Sequence, residues 1–294
     1  MWSLAQGEAS APGRATISGH DPALPSVFAV GTAASASIAA AALAAAELWH
    51  LRTGSAQAVH VDMRAAAATF RSGRYLTVDG GPPIDPWSPI AGYYETGDGR
   101  WMQLHTNFPH HRDGVLRVLG CVEDRRAVAA ALAGWQGQEL EDTLAAANMC
   151  AGLVRSSEEW ATHGQGRAVA ALPLMEIIRI GEAPPRPLAA ASAHPLSGVR
   201  VLDLSRIIAG PVAGRALAEH GADVLLITAP HLPSIPLLVM DTGRGKLSAQ
   251  LELRRFKIPE LRASGERIRA DNDGSDARQS PSRWSIPYLL RRRR

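Results

Sequence analysis

Aromatic residues are scarce: Phe, Tyr and Trp together make up 5% of the 294 residues. A core with so few rings must be filled by small and aliphatic side chains, and alanine is abundant throughout. Cysteine is scarcer still. Cys121 and Cys150 give neither a disulfide framework nor the paired spacing of a zinc site. Both read as buried thiols, no metal is expected, and a cytoplasmic setting is the default. No uninterrupted apolar run approaches the ~18 residues that cross a bilayer. The text from Ala33 to Ala46 is short and alanine-dominated, and reads as a buried helix. Residues 1 to 26 hold Glu8, Asp21 and several Gly and Pro without an apolar centre, so neither a signal peptide nor a membrane partner is expected. The glycine-rich patterns G-x-G-x-x-G and G-x-x-x-x-G-K-[ST] are both missing, which leaves dinucleotide and P-loop readings without support.

Charge of one sign is also in short excess. The net charge is +3, and part of it is the terminal run Arg291 to Arg294. Nucleic-acid binding needs a basic face with aromatics or a known module, and neither is visible. The run reads as a solvated tail, and no nucleic-acid partner is expected.

What is present divides into segments. Residues 1–24 are rich in Gly, Ala, Ser and Pro and read as a disordered lead-in. In a first module, 25–181, Ala33 to Arg52 is a helix ended by Gly54, and "AVHVDM" (58–63) is a strand. A helix then starts at Arg64, and the four prolines of 79–92 mark a loop. "GYYETGDGRWMQLHT" reads as a hairpin turning at Gly97-Asp98-Gly99. Helical text follows from Pro109, Ser156 and Glu159 form a capping box, and "MEIIRIG" is a strand candidate. Residues 182–198 are a Pro- and Ala-rich linker. The second module, 199–255, reads as strand "VRVLDL", helix Pro211 to His220, Gly221 as its cap, and strand "ADVLLIT", a βαβ unit with a parallel sheet. Residues 256–294 are polar and Arg-rich, and are expected to be a disordered tail.

Two segments carry possible chemistry. The strand-to-helix segment Arg206, Ile207, Ile208 and Ala209 sits where free helix N–H groups meet the carboxyl end of a strand, which suits an anion. Pro211 fits the first helical position, and Arg206 could hold a carboxylate or phosphate. Gly243, Arg244, Gly245 and Lys246 place two cations in a loop that a polyphosphate could approach, and a solvated turn fits the same text. His110 and His111 point apart on a helix, which argues against a shared ligand. His60 and His105 read as structural, and Asp98 as a turn former.

The stretch "HPLSGVRVLDLSRIIAGPVAGRALAEHGADVLLI" with "DTGRGKLSAQLEL" resembles the amino-terminal segment of the class III CoA-transferase family, which includes the α-methylacyl-CoA racemases. "AAALAAAELWHLRTGSAQAVHVDM" and "GYYETGDGRWMQLHTN" resemble later parts of the same family. The order is therefore inverted, with a family ending before a family beginning.

The resemblance implies an α/β fold with a Rossmann-like parallel-sheet portion and a smaller α+β portion. It implies homodimers, coenzyme A or acyl-CoA as substrate, and a carboxylic acid acceptor. It also implies a catalytic aspartate that attacks the acyl-CoA thioester. Arg206, Ile207, Ile208, Ala209, Gly243, Arg244, Gly245 and Lys246 are then the CoA-binding candidates. Counting back from Thr53-Gly54 puts Thr32 at the family's aspartate position, with no neighbouring base in the text and Asp21 too far upstream to align. The catalytic residue is left unassigned, and an impaired or incomplete CoA-transferase is expected. Two alternatives stay open: a non-catalytic acyl-CoA-binding or scaffold protein, and an isomerase of the racemase kind.

Overall fold

The computed structural model describes residues 1–81, 85, 87–182, 184, 193–252 and 254. The expected tail and most of the expected linker lie outside them. The chain opens with a short 3-10 turn, Ala11–Arg14, and a strand β1, Ala15–Ser18. Part of the expected disordered lead-in is thus ordered, because β1 pairs in parallel with β2, Val59–Asp62, from Ala15↔Val59 to Ser18↔Asp62. Between them runs α1, Val30–Thr53, ended by Gly54 with φ 74° as the glycine reading requires. Two short helices follow, α2 (Met63–Phe70) and α3 (Ser72–Tyr75). Ala34, Ala39, Val61 and Ala66 form the buried seam, so small side chains let α1 close on its neighbours.

α1 is longer than the short apolar stretch expected from the sequence. It is long and apolar enough, by length and composition, to cross a membrane, and 33% of its most apolar window is buried. The extra length comes from Val30 before the alanine stretch and from Leu48, Trp49 and Leu51 after it.

The described residues of 84–176 make a compact unit of their own. The hairpin forms as read: β3 (Gly92–Glu95) and β4 (Trp101–Leu104) are antiparallel, turned by Asp98, which accepts from the Thr96 hydroxyl at 2.6 Å. Helices α4 (Pro109–Leu119), α5 (Arg125–Leu132) and α6 (Gly137–Ala146) lead to β5 (Ala151–Leu153), which adds to β4. The capping box Ser156–Glu159 starts α7 (Ser157–Thr162), and α8 (Gly164–Ala170) follows. Ile90, Met102, Leu104, Val115, Val128, Leu132, Leu140 and Leu144 fill the core between sheet and helices. "MEIIRIG" is no strand, since the segment has no neighbour to pair with among the described residues. Ile177, Ile178 and Ile180 are exposed there.

The last described part forms the expected βαβ unit and extends it. β6 (Arg200–Asp203), α9 (Ala209–Glu219), β7 (Asp223–Thr228), α10 (Pro236–Thr242) and β8 (Lys246–Gln250) build a parallel sheet in the order β6-β7-β8. Pro211 is the third helical residue of α9 rather than the first.

In space the chain is cut differently from the two consecutive modules of the sequence reading. The described residues of 1–83 and of 177–254 belong to one unit. Arg52, in the last turn of α1, donates to the carbonyls of Pro195 and Ser197 at 2.6 and 3.0 Å. Ser72 of α3 donates to Asp241 of α10 at 2.7 Å. Segments from the two ends of the sequence therefore share one polar seam.

Candidate active site

The amino end of α1 is the first candidate site. Its own flanking residue, Ala29, offers no side chain to the free N–H groups. Asp21 supplies the acceptor from eleven positions upstream of Thr32. Its Oδ1 accepts from the Gly31 N–H at 2.9 Å, and its Oδ2 accepts from the Thr32 N–H at 2.8 Å and the Thr32 hydroxyl at 2.6 Å. The Thr32 hydroxyl, aided by its N–H, holds the Asp21 carboxyl below the usual carboxylate range. Gly31 makes this possible: a Cβ there would lie 2.5 Å from Asp21 Oδ1 and 2.8 Å from Met63. The expectation that Thr32 has no acidic neighbour is overturned. Chain folding, not alignment, brings a carboxylate to that position. The readable signal was Gly31-Thr32 opening a helix without a local cap.

The second candidate is the β6–α9 segment. Arg206 reaches the Pro233 carbonyl and is exposed, as are Ile207, Ile208 and Ala209. Ile207 has φ 75°, a left-handed conformation that a β-branched residue rarely adopts. α9 starts with no side-chain cap, leaving its first N–H groups to other acceptors. Gly243 ends α10, and Gly245 has φ 77°. Arg244 donates to the Asp241 carboxylate at 2.9 Å while its side chain remains 60% exposed.

Lys246 does not join them. Its ammonium is buried and donates to Asp203 Oδ2 at 2.9 Å and to the Pro211 carbonyl at 2.7 Å. Burial pushes the Asp203 carboxyl up, but the Ser205 hydroxyl and the Lys246 ammonium hold it below its ordinary range. The reading of Lys246 as a CoA contact is therefore corrected: its side chain faces inward from β8 and is used within the fold. Gly214 leaves the room, since a Cβ there would lie 2.5 Å from Asp203 Oδ2 and 2.9 Å from Lys246 Nζ. The "AGPVAG" text thus has a packing role as well as any ligand role. A second buried pair, Arg215–Asp241 at 3.1 Å, lies alongside and was not anticipated.

The remaining candidates fall as follows. His60 bonds Thr16 and Ser18 across β1 and β2. Asp98 also accepts from the Gly137 N–H. Cys121 is half-buried, but Cys150 is exposed, contrary to the buried-thiol reading.

The profile of CoA-transferase family III matches residues 5–176 and 196–255. The chain is similar to the acetyl-coenzyme A transferase nodX of Hypoxylon pulicicidum, 32% identical over 183 residues, 56% of this chain and 30% of that protein. It is also similar to an acyl-CoA transferase of Gibberella moniliformis, 30% identical over 182 residues, 54% of this chain and 31% of that one. The chain therefore spans under a third of the length of these two relatives. Among solved structures, Rv3272 of Mycobacterium tuberculosis gives a TM-score of 0.42 at 21% identity, over 50% of this chain and 44% of that one.

Proposed function

The chain belongs to CoA-transferase family III, and on that premise we propose that it transfers coenzyme A between acyl groups, with Asp21 as the attacking carboxylate. The observation that carries this reading is the 2.6 Å bond from the Thr32 hydroxyl to Asp21. It supports the reading by tying an acidic side chain to Thr32, the position at which the family resemblance expects an aspartate. Attack by one Asp21 oxygen on the thioester carbon forms a C–O bond and breaks the C–S bond. The acyl group is left as a mixed anhydride, and CoA leaves as thiolate. The N–H groups of Gly31 and Thr32 remain to stabilise negative charge at the helix end. In the second half-reaction the thiolate attacks the Asp21 carbonyl of the anhydride, which releases the donor acid and leaves CoA as a thioester on Asp21. The acceptor carboxylate displaces the thiolate to form a second anhydride. The thiolate then attacks the acceptor acyl carbonyl, giving the new acyl-CoA and freeing the Asp21 carboxylate.

For CoA itself, the exposed Arg206, Ile207, Ile208 and Ala209 segment and Arg244 form the proposed wall, with Gly243 and Gly245 allowing close backbone approach. The strained Ile207 supports a ligand role for that turn. The parallel β6-β7-β8 sheet with its two helices supports the Rossmann-like description. We place the protein in the cytoplasm as a homodimer, on the low cysteine content and the family resemblance.

One observation favours a second reading, an acyl-CoA-binding protein without turnover. The Asp21 carboxylate already accepts from four donors, counting the Ala23 N–H at 3.3 Å, which is how a structural helix cap behaves. A trapping experiment separates the two. The protein is incubated with acetyl-CoA, treated with hydroxylamine, and the peptide containing residue 21 is weighed. Turnover predicts a hydroxamate at Asp21, and CoA exchange that disappears in Asp21→Asn. Exchange that survives in Asp21→Asn would sink the assignment. CoA binding without any exchange in the wild type would establish the second reading.

A further inference from the structure

One end of the 84–176 unit gathers three side chains that CoA transfer does not use. His105 follows β4 and Cys150 precedes β5. The His105 N–H donates to the Cys150 carbonyl at 2.9 Å, which extends the ladder one rung past Leu104↔Ala151. The two residues are thereby fixed as cross-strand neighbours. His111 lies in the first turn of α4. One turn on, Gly114 has no side chain where Met149 Sδ would stand 2.0 Å from a Cβ, so the chain leading to Cys150 lies against that helix. Two strand ends and a helix thus converge, and one ligand atom from each of His105, His111 and Cys150 lies within 4.8 Å of the others.

Nδ1 of His105 and Nδ1 of His111 are both buried without a hydrogen-bond partner among the described residues. Such atoms carry a desolvation cost that coordination would offset. Trp87 packs edge-on to His105 with centroids 5.6 Å apart, and Phe108 packs edge-on to His111 at 5.8 Å, so both rings are held.

We propose that His105, His111 and Cys150 bind a transition ion of the zinc class, with the remaining position facing solvent. Two imidazole nitrogens and one thiolate are a borderline-soft set that suits zinc and disfavours magnesium or calcium. Bonds of about 2.0–2.3 Å place tetrahedral ligand atoms roughly 3.3–3.8 Å apart, so side-chain rotations of about 1 Å complete the site. Cys150 is exposed, which gives the ion an entry path, and its thiol proton leaves to solvent on binding.

The test uses the full chain, reduced and stripped of metal, with Co²⁺ as the probe. One Co²⁺ per chain is expected, with a thiolate-to-cobalt charge-transfer band that Cys150→Ser abolishes and Cys121→Ser leaves intact. His111→Gln should weaken the competition by Zn²⁺. Independently, Zn²⁺ should slow alkylation of Cys150 in the wild type and leave the Cys121 rate unchanged. No band in the wild type, a band surviving Cys150→Ser, or alkylation of Cys150 indifferent to Zn²⁺ would each overturn the site.

Discussion

Lys246 Nζ lies 2.9 Å from Asp203 Oδ2, with 1% and 4% of the two side chains exposed. A pair this buried is costly to break from one side, because the surviving charge keeps its desolvation cost and loses its partner. Lys246→Ala should therefore destabilise the fold by about 3–5 kcal/mol, read as a lower denaturant midpoint. Any loss of CoA binding in that variant would report unfolding rather than a lost contact. Arg244→Ala, on an exposed side chain, should keep the wild-type midpoint. An unchanged midpoint for Lys246→Ala would show that the pair is not formed in solution.

Legibility followed sequence distance. The βαβ unit could be read because its signals are local: alternation in "VRVLDL", glycine at 221, and an apolar run in "ADVLLI". The hairpin at Asp98 and the capping box at Ser156 are local too. What could not be read are partnerships across long separations. Asp203 and Lys246 are 43 residues apart, so Lys246 looked like a loop cation. Asp21 reaches Thr32 across eleven positions, and no periodicity links them. β1 was hidden because its four residues become a strand only beside β2. "MEIIRIG" fails for the converse reason: apolar alternation does not make a strand where no partner strand is available.

Gly31 controls the proposed nucleophile without touching substrate. A methyl group at residue 31 would lie 2.5 Å from Asp21 Oδ1 and 2.8 Å from Met63, so one of them must move. Gly31→Ala should cost about 1–3 kcal/mol of stability by overpacking. It should also reduce CoA exchange as severely as Asp21→Asn while leaving CoA affinity near the wild-type value. Full exchange activity in Gly31→Ala would mean that the carboxylate need not sit at the helix end.

Acid should destabilise the 84–176 unit through Glu141. The Arg155 guanidinium, helped by the Leu153 N–H, holds its carboxyl at about 2 instead of the ordinary 4.5, against the opposing effect of burial. A depressed folded value means that the stabilisation is fully present above the ordinary pKa and is lost as pH falls toward the folded one. Both side chains are largely buried, at 19% and 13% exposure, so salt should screen the pair only weakly. Asp98, with its carboxyl held down by Thr96, contributes to the same acid limb. The Glu141 share is isolated by comparing the wild type with Glu141→Gln in thermal melts from about pH 6 to about pH 3. The variant should start less stable and lose less on acidification, so the two curves converge at low pH. Parallel curves across that range would show that Glu141 carries no linked proton.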